Sequence, residues 1–250
     1  GEPEQTDSVW TLAVDPAFFA DKGFSGYRLV GDTDVLFAPG ATLNVRPTYL
    51  LADRNALLTL GSRESLLTSG AEADVHAGDV ASYDRYRSRR DGGGLSVEAG
   101  LFVRWGFSAG IERKYGDSGS IDVGRGVHIG VGAGETIALS SANHVRIDGE
   151  LSAPAGSLLV RNLASGASPL PAARGVWLGS QSVLDASGTT LLDPSSPVLR
   201  GSGAAPVLQR TGVVLDGGHI DVQSDGYVVA GRGSVFDVSG ASDVFDIPLD

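Results

Sequence analysis

The feature that most constrains this chain is a degenerate repeat in its second half. Gly175-Val-Trp-Leu-Gly-Ser-Gln-Ser-Val-Leu-Asp-Ala-Ser-Gly188 resembles Gly226-Tyr-Val-Val-Ala-Gly-Arg-Gly-Ser-Val-Phe-Asp-Val-Ser-Gly240. Both have a glycine, an apolar trio, a glycine-containing turn, and then Ser-Val-apolar-Asp-apolar-Ser-Gly. A unit this short cannot bury its own apolar face. Its recurrence therefore predicts stacked supersecondary units rather than a closed domain.

Shorter stretches follow the same pattern. Gly-Ser-Ile-Asp-Val from Gly119, Gly-Glu-Thr-Ile-Ala-Leu from Gly134 and Gly-Ser-Leu-Leu-Val from Gly156 are each a turn glycine followed by an alternating strand. Between the last two, Val145 to Ala153 reads as two strand pieces hinged at Asp148-Gly149. The expected fold is all-β: a parallel β-helix of three short strands per coil, with loops ejected from the corners. One side of each strand must then point inward and be apolar, which nominates Ile121, Val123, Ile137, Leu139, Val145, Ile147, Leu158, Val160, Val183 and Val235. Corners need residues that tolerate positive φ, which suits Gly, Asn and Asp. Parallel coils would stack about 4.8 Å apart, so every internal strand finds two partners.

Residues 119–250 are read as β-helix coils, interrupted by Pro/Ser/Gly/Ala-rich loops at 164–174 and 191–208, where prolines at 169, 171, 194, 197 and 206 exclude central strands. Coil is expected to resume at Gly212. Residues 1–118 are less regular and are read as the start of the same helix with insertions. Tyr27 to Val45 looks like strand, turn, strand with Pro39-Gly40 at the corner, and Ala52 to Leu67 is a helical candidate despite Gly61. A charged insertion follows at 83–94. No boundary separates two domains, so one continuous domain is expected.

Composition narrows the function classes. The net charge of −11 would repel a phosphate backbone, which argues against nucleic acid and equally suits plain solubility. With no cysteine there is no disulfide framework, thiolate metal site or cysteine nucleophile, and a chain exported unfolded is well served by that lack. No apolar run approaches the length of a membrane span. The start, Gly1-Glu2-Pro3-Glu4, is neither a signal peptide nor an initiator Met, and the chain is expected to be an interior piece of something longer.

Taken together, Gly-Ser-Ile-Asp-Val, Ile-Asp-Gly-Glu-Leu-Ser-Ala-Pro-Ala-Gly-Ser-Leu and the Val-Leu-Asp-Ala-Ser-Gly and Val-Phe-Asp-Val-Ser-Gly units resemble the repeats of filamentous haemagglutinin-like exoproteins. Gly23 to Leu29 and Val35 to Leu43 look like the same family. The similarity covers roughly 15–45 and 119–240. The resemblance implies a two-partner secretion substrate. Such a substrate is a long right-handed β-helical fibre, exported through an outer-membrane transporter and displayed on or secreted from a Gram-negative cell. Its roles would be adhesion to a host or neighbouring-cell receptor or glycan, biofilm formation, or spacing. The Asn-Pro-Asn-type motif of the family's secretion domain is absent, so the resemblance places this piece in the shaft, with the transporter engaging another part of the chain.

Residues that suggest chemistry also have plainer explanations. Asp216, Asp221 and Asp225 would serve a pectin lyase-like, polysaccharide-cleaving β-helix if they converged within about 5–6 Å. Turn aspartates capping backbone N–H groups account for them, and for Asp148, Asp185 and Asp237. His76, His128, His144 and His219 lack metal-type spacing and read as solvated or strand-face residues. There is no Gly-x-Ser-x-Gly elbow and no P-loop. The reading is therefore no catalytic residue, no metal and no cofactor. One candidate partner-binding loop remains: Tyr83, Arg85, Tyr86, Arg87, Arg89 and Arg90, whose Arg and Tyr content suits a sugar or anionic polymer. The alternatives are a solvated loop, or a carbohydrate-binding module within the fibre.

Overall fold

The computed structural model describes residues 12–21, 24, 26–45, 48–52, 71–76, 94–106, 110–115, 118–163, 174–192, 198–199, 207–208 and 212–246. Strands dominate. A first triplet comprises β1 (Gly26–Gly31), β2 (Val35–Phe37) and β3 (Thr42–Val45). β4 (Thr48–Ala52) and β5 (Ala71–His76) then pair antiparallel. The second triplet opens with β6 (Gly94–Ala99). It is interrupted by an antiparallel hairpin of β7 (Leu101–Gly106) and β8 (Gly110–Tyr115), and closes with β9 (Ile121–Val123) and β10 (His128–Val131). The third triplet is uninterrupted: β11 (Thr136–Ser141), β12 (His144–Ile147) and β13 (Glu150–Ser152). The fourth is β14 (Ser157–Asn162), β15 (Gly175–Leu178) and β16 (Val183–Asp185). Next comes an arm of two antiparallel pairs, with β17 (Thr189–Leu192) against β20 (Gly212–Leu215) and β18 (Val198–Leu199) against β19 (Val207–Leu208). The fifth triplet is β21 (His219–Ser224), β22 (Tyr227–Ala230) and β23 (Val235–Asp237).

Each triplet gives one strand to each of three five-stranded parallel sheets: β1-β6-β11-β14-β21 (sheet A), β2-β9-β12-β15-β22 (sheet B) and β3-β10-β13-β16-β23 (sheet C). The chain is thus nearly all-β, with parallel sheets built in a repeating pattern compatible with a parallel β-helix. The undisturbed period is short: Thr136 pairs with Ser157, and His128 with Glu150.

Alternation in each strand sends one side chain in two to a shared interior. On sheet A, Tyr27, Leu95, Ile137, Leu158 and Ile220 share one register row, and Leu29, Val97, Leu139, Val160 and Val222 another. At the end of those strands Ala99, Ser141, Asn162 and Ser224 form a small, polar row. Asn162 is fully buried and satisfied there, its Nδ2 donating to the Asn143 carbonyl at 2.6 Å. Eight of the ten nominated inner residues, Ile121 through Val160, are fully buried. Val183 and Val235 are not; their neighbours Leu184 and Phe236 hold the inward row shared with Leu151. The preceding corner sets this phase. Ser182 is buried and its hydroxyl donates to the Gly179 carbonyl, so the strand enters sheet C one residue out of step with the expectation.

Excursions leave only at two corners. Between sheets B and C the connection is always short, and four of its five instances close with an i to i+3 backbone bond, as from Ala41 to Ala38 or Ser234 to Gly231. The β7–β8 hairpin departs between sheets A and B through a crossing of backbones. Gly100 (φ 76°) and Gly119 (φ 113°) are in such close approach that a Cβ on either would overlap the other strand of the neck.

At the first end the short helix α1 (Ala17–Asp21) packs against β3. Its start is capped by Asp15, whose carboxylate accepts from Ala17 N at 2.9 Å, with Pro16 at the position where a missing N–H costs nothing. Phe19 is buried, its ring 5.0 Å from that of Tyr27.

Several sequence expectations change here. Gly212 does not reopen the stack; Gly212–Leu215 is the return strand of the arm, and stacking resumes at His219. Part of the interruption expected at 191–208 is β-structure. The helical candidate at 52–67 lies outside the described residues except Ala52, which ends a strand. The loop at 164–174 also lies outside them, apart from Arg174.

Candidate functional site

The outward side chains of sheet B make the most site-like surface among the described residues. In β12, Val145 and Ile147 point inward, which sends His144 and Arg146 out. In β15, Val176 and Leu178 are buried, which sends Trp177 out. The register places Arg146 beside Trp177 and Trp177 beside Val229, with Gly175 between His144 and Tyr227 one pleat away. Trp177 is 38% exposed and Tyr227 62%. An open depression of about 440 Å³ lies over this face, lined by His144, Arg146, Trp177, Val229, Gly179 and Gly231, with Leu178 beneath.

The polar groups here are already matched in charge. Arg146 donates through Nε and Nη2 to Asp148 Oδ2 at 3.3 and 3.2 Å. Asp148 fits at the corner because residue 179 is glycine; a Cβ there would land on its Oδ1. His144 Nδ1 lies 3.3 Å from the Asn143 amide nitrogen and 3.1 Å from Ser120 Oγ. On the other side of the ring, Nε2 lies 3.8 Å from Asp122 Oδ1.

The three aspartates of the lyase alternative are strung out rather than gathered. Asp216 precedes β21, Asp221 is inside it and Asp225 follows it. At about 3.3 Å of rise per residue, Asp221 and Asp225 are separated by roughly 13 Å of chain. No group of three or more His, Asp or Glu that could hold a metal occurs among the described residues. Asp221 takes bonds from Arg161 Nη2 at 3.1 Å and Gln223 Nε2 at 2.9 Å. The turn-capping explanation describes two aspartates well: Asp185 accepts from Ser187 N, and Asp237 from Ser239 N, both at 2.9 Å. The bonds from Ser239 hold the Asp237 carboxyl below the ordinary carboxylate range. Asp148 instead pairs with Arg146 two residues before it, and Asp221 with Arg161 on the neighbouring strand.

Three histidines each begin a strand. His128 is 3.3 Å from a Glu150 oxygen and His219 Nδ1 is 3.3 Å from Ser157 Oγ, both with partners on the neighbouring strand, and His144 is placed as above. His76 lies in β5. The candidate loop of Tyr83, Arg85, Tyr86, Arg87, Arg89 and Arg90 lies outside the described residues.

Sequence reading missed the sheet B surface because Trp177 counted only as one of an apolar trio. The register was the missing signal. Aligning the repeat on its leading glycines equates Gly175 with Gly226, whereas the strands pair Gly175 with Tyr227 and Trp177 with Val229. Only the second alignment sets a bare glycine beside an exposed tyrosine.

No protein family, curated protein or solved structure matches this chain.

Proposed function

We propose that the chain is a stretch of right-handed parallel β-helix that forms the shaft and adhesive surface of a large exoprotein, displayed on or secreted from a Gram-negative bacterium, with no catalytic role. One observation carries the reading: three parallel sheets each take a strand from every triplet in order, and their interior rows run unbroken from the first triplet to the fifth. Parallel crossovers between strands of one sheet are right-handed in about 98% of cases, which favours that hand. Each added triplet would lengthen such a rod by about 4.8 Å while bringing its own core, so length is not limited by a growing interior.

Other features agree with a displayed rod. The hairpins and the arm leave at corners without disturbing the rows, which leaves them free to vary as surface decoration. The absence of cysteine suits passage across an outer membrane before folding. The repeat units resemble those of filamentous haemagglutinin-like exoproteins.

Immunogold labelling of the intact bacterium that encodes the chain, with and without its outer-membrane transporter gene, tests this reading. Gold on surface fibres that disappears in the deletion strain is the expected result. Label confined to the cell interior in both strains would contradict it.

A further inference from the structure

The three sheets present different outer faces. Sheets A and C show polar and scattered aliphatic side chains outward, whereas sheet B carries the aromatic residues Trp177 and Tyr227 outward, with Trp177 and Val229 lining the depression. We propose that this face of sheet B binds a neutral polysaccharide, with Trp177 as its stacking platform and the Arg146–Asp148 pair as its hydroxyl clamp. This goes beyond the shaft reading and needs only the sheet itself.

The chemistry of the surface selects that ligand. One face of a pyranose ring is a patch of C–H bonds that lies flat on an aromatic ring, while its rim carries hydroxyls that both donate and accept. Trp177 offers such a ring, and the position two residues before it on the same face is Gly175, which carries no side chain. Arg146, in register with Trp177, keeps 64% of its side chain exposed while bonded to Asp148. Adjacent sugar hydroxyls complement that pair: one accepts from the guanidinium and the other donates to the carboxylate. A charged polymer gains less, because Arg146 is matched by Asp148, so either sign of ligand meets repulsion as well as attraction there. Tyr227 lies diagonally across the sheet, about 8 Å from Trp177 given the strand spacing and rise, and provides a second platform for a chain running obliquely. The depression, about 440 Å³, falls in the size range of small-ligand sites.

The test is an array of neutral and acidic glycans probed with the whole chain, followed by titration of each neutral hit against variants. Removing an aromatic anchor from the centre of a binding face is a large loss, so Trp177→Ala should weaken neutral-glycan binding roughly tenfold or more. Tyr227→Ala and Arg146→Gln should each weaken it by a smaller factor, and Val30→Ser, on the outer face of sheet A, should leave it unchanged. Thermal melts check that each variant folds, and Trp177→Gln provides a second, polar replacement of the indole. Four outcomes overturn the proposal: no neutral glycan bound at millimolar concentration, binding of acidic glycans only, neutral binding indifferent to both Trp177 variants in folded protein, or a face that serves self-association abolished by Trp177→Ala with no glycan bound.

Discussion

The first and last triplets are built to one pattern yet stand in opposite surroundings. At the first, Phe37, Leu43 and Val45 are buried, with Phe19 of α1 joining the same core. At the last, Phe236 shares the inward row of Leu43 and is 47% exposed, while Val228, in the row of Val35, and Val238 are each 50% exposed. Between them, in β11 to β13, the inward residues Ile137, Leu139, Val145, Ile147 and Leu151 are fully enclosed. A triplet does not bury itself; the neighbours above and below do so. Apolar residues at the last triplet are therefore unshielded by position and not by residue type.

Five substitutions, arranged as four tests in decreasing order of expected effect, probe that contrast. Leu184 and Phe236 share a register row one triplet apart. Leu184→Ala should cost about 2–5 kcal/mol in denaturant unfolding, and Phe236→Ala distinctly less although it removes the larger side chain. Equal costs would erase the distinction between interior and end. Phe19→Ser removes the buried ring of α1 and should cost about 2–3 kcal/mol while raising the binding of an apolar dye at the first triplet; unchanged stability would deny Phe19 its part in that core. Asn162→Ala removes the buried amide's bonds to the Ser141 and Asn143 carbonyls, leaving the latter only its longer bond from Gly175 N, and should cost about 1–3 kcal/mol, checked by the same unfolding curves. The smallest effect concerns acid. Asp237 has its carboxyl lowered by its bonds from Ser239, so what it contributes to stability is present above its unfolded value and lost as pH falls through the folded one. Asp237→Asn should leave neutral stability nearly unchanged and make the acid limb slightly shallower below about pH 4; a steeper acid limb would contradict that sign.

Much of the stack was readable in the chain because it rests on local chemistry. Turn glycines followed by alternating apolar residues marked β9, β11, β12 and β14 and identified eight inner residues. The Asp-apolar-Ser-Gly unit was readable too, as a carboxylate bonding the N–H two residues on. What failed was phase and connection. A corner such as Gly179 to Ser182 decides which residue enters the next strand facing inward, and nothing in Ser-Val-Leu-Asp distinguishes Val183 from Leu184. Leu101–Gly106 and Gly212–Leu215 alternate or run apolar just as stacked strands do, so pattern alone cannot separate an excursion from a rung. The clue for the first was the pair Gly100 and Gly119, whose backbones meet only once the hairpin has closed. The sheet B surface was hidden for a similar reason: it depends on which residues become neighbours at 52 residues' separation, from Trp177 to Val229.

Hydrogen–deuterium exchange, resolved by strand, tests the central claim most directly. If triplets shield one another in order, amide protection should peak in β11 to β14, remain substantial in β1 to β3 beneath α1, and fall steeply through β21 to β23. Protection at the last triplet equal to that of the third would contradict the account, as would fast exchange throughout β11 to β14.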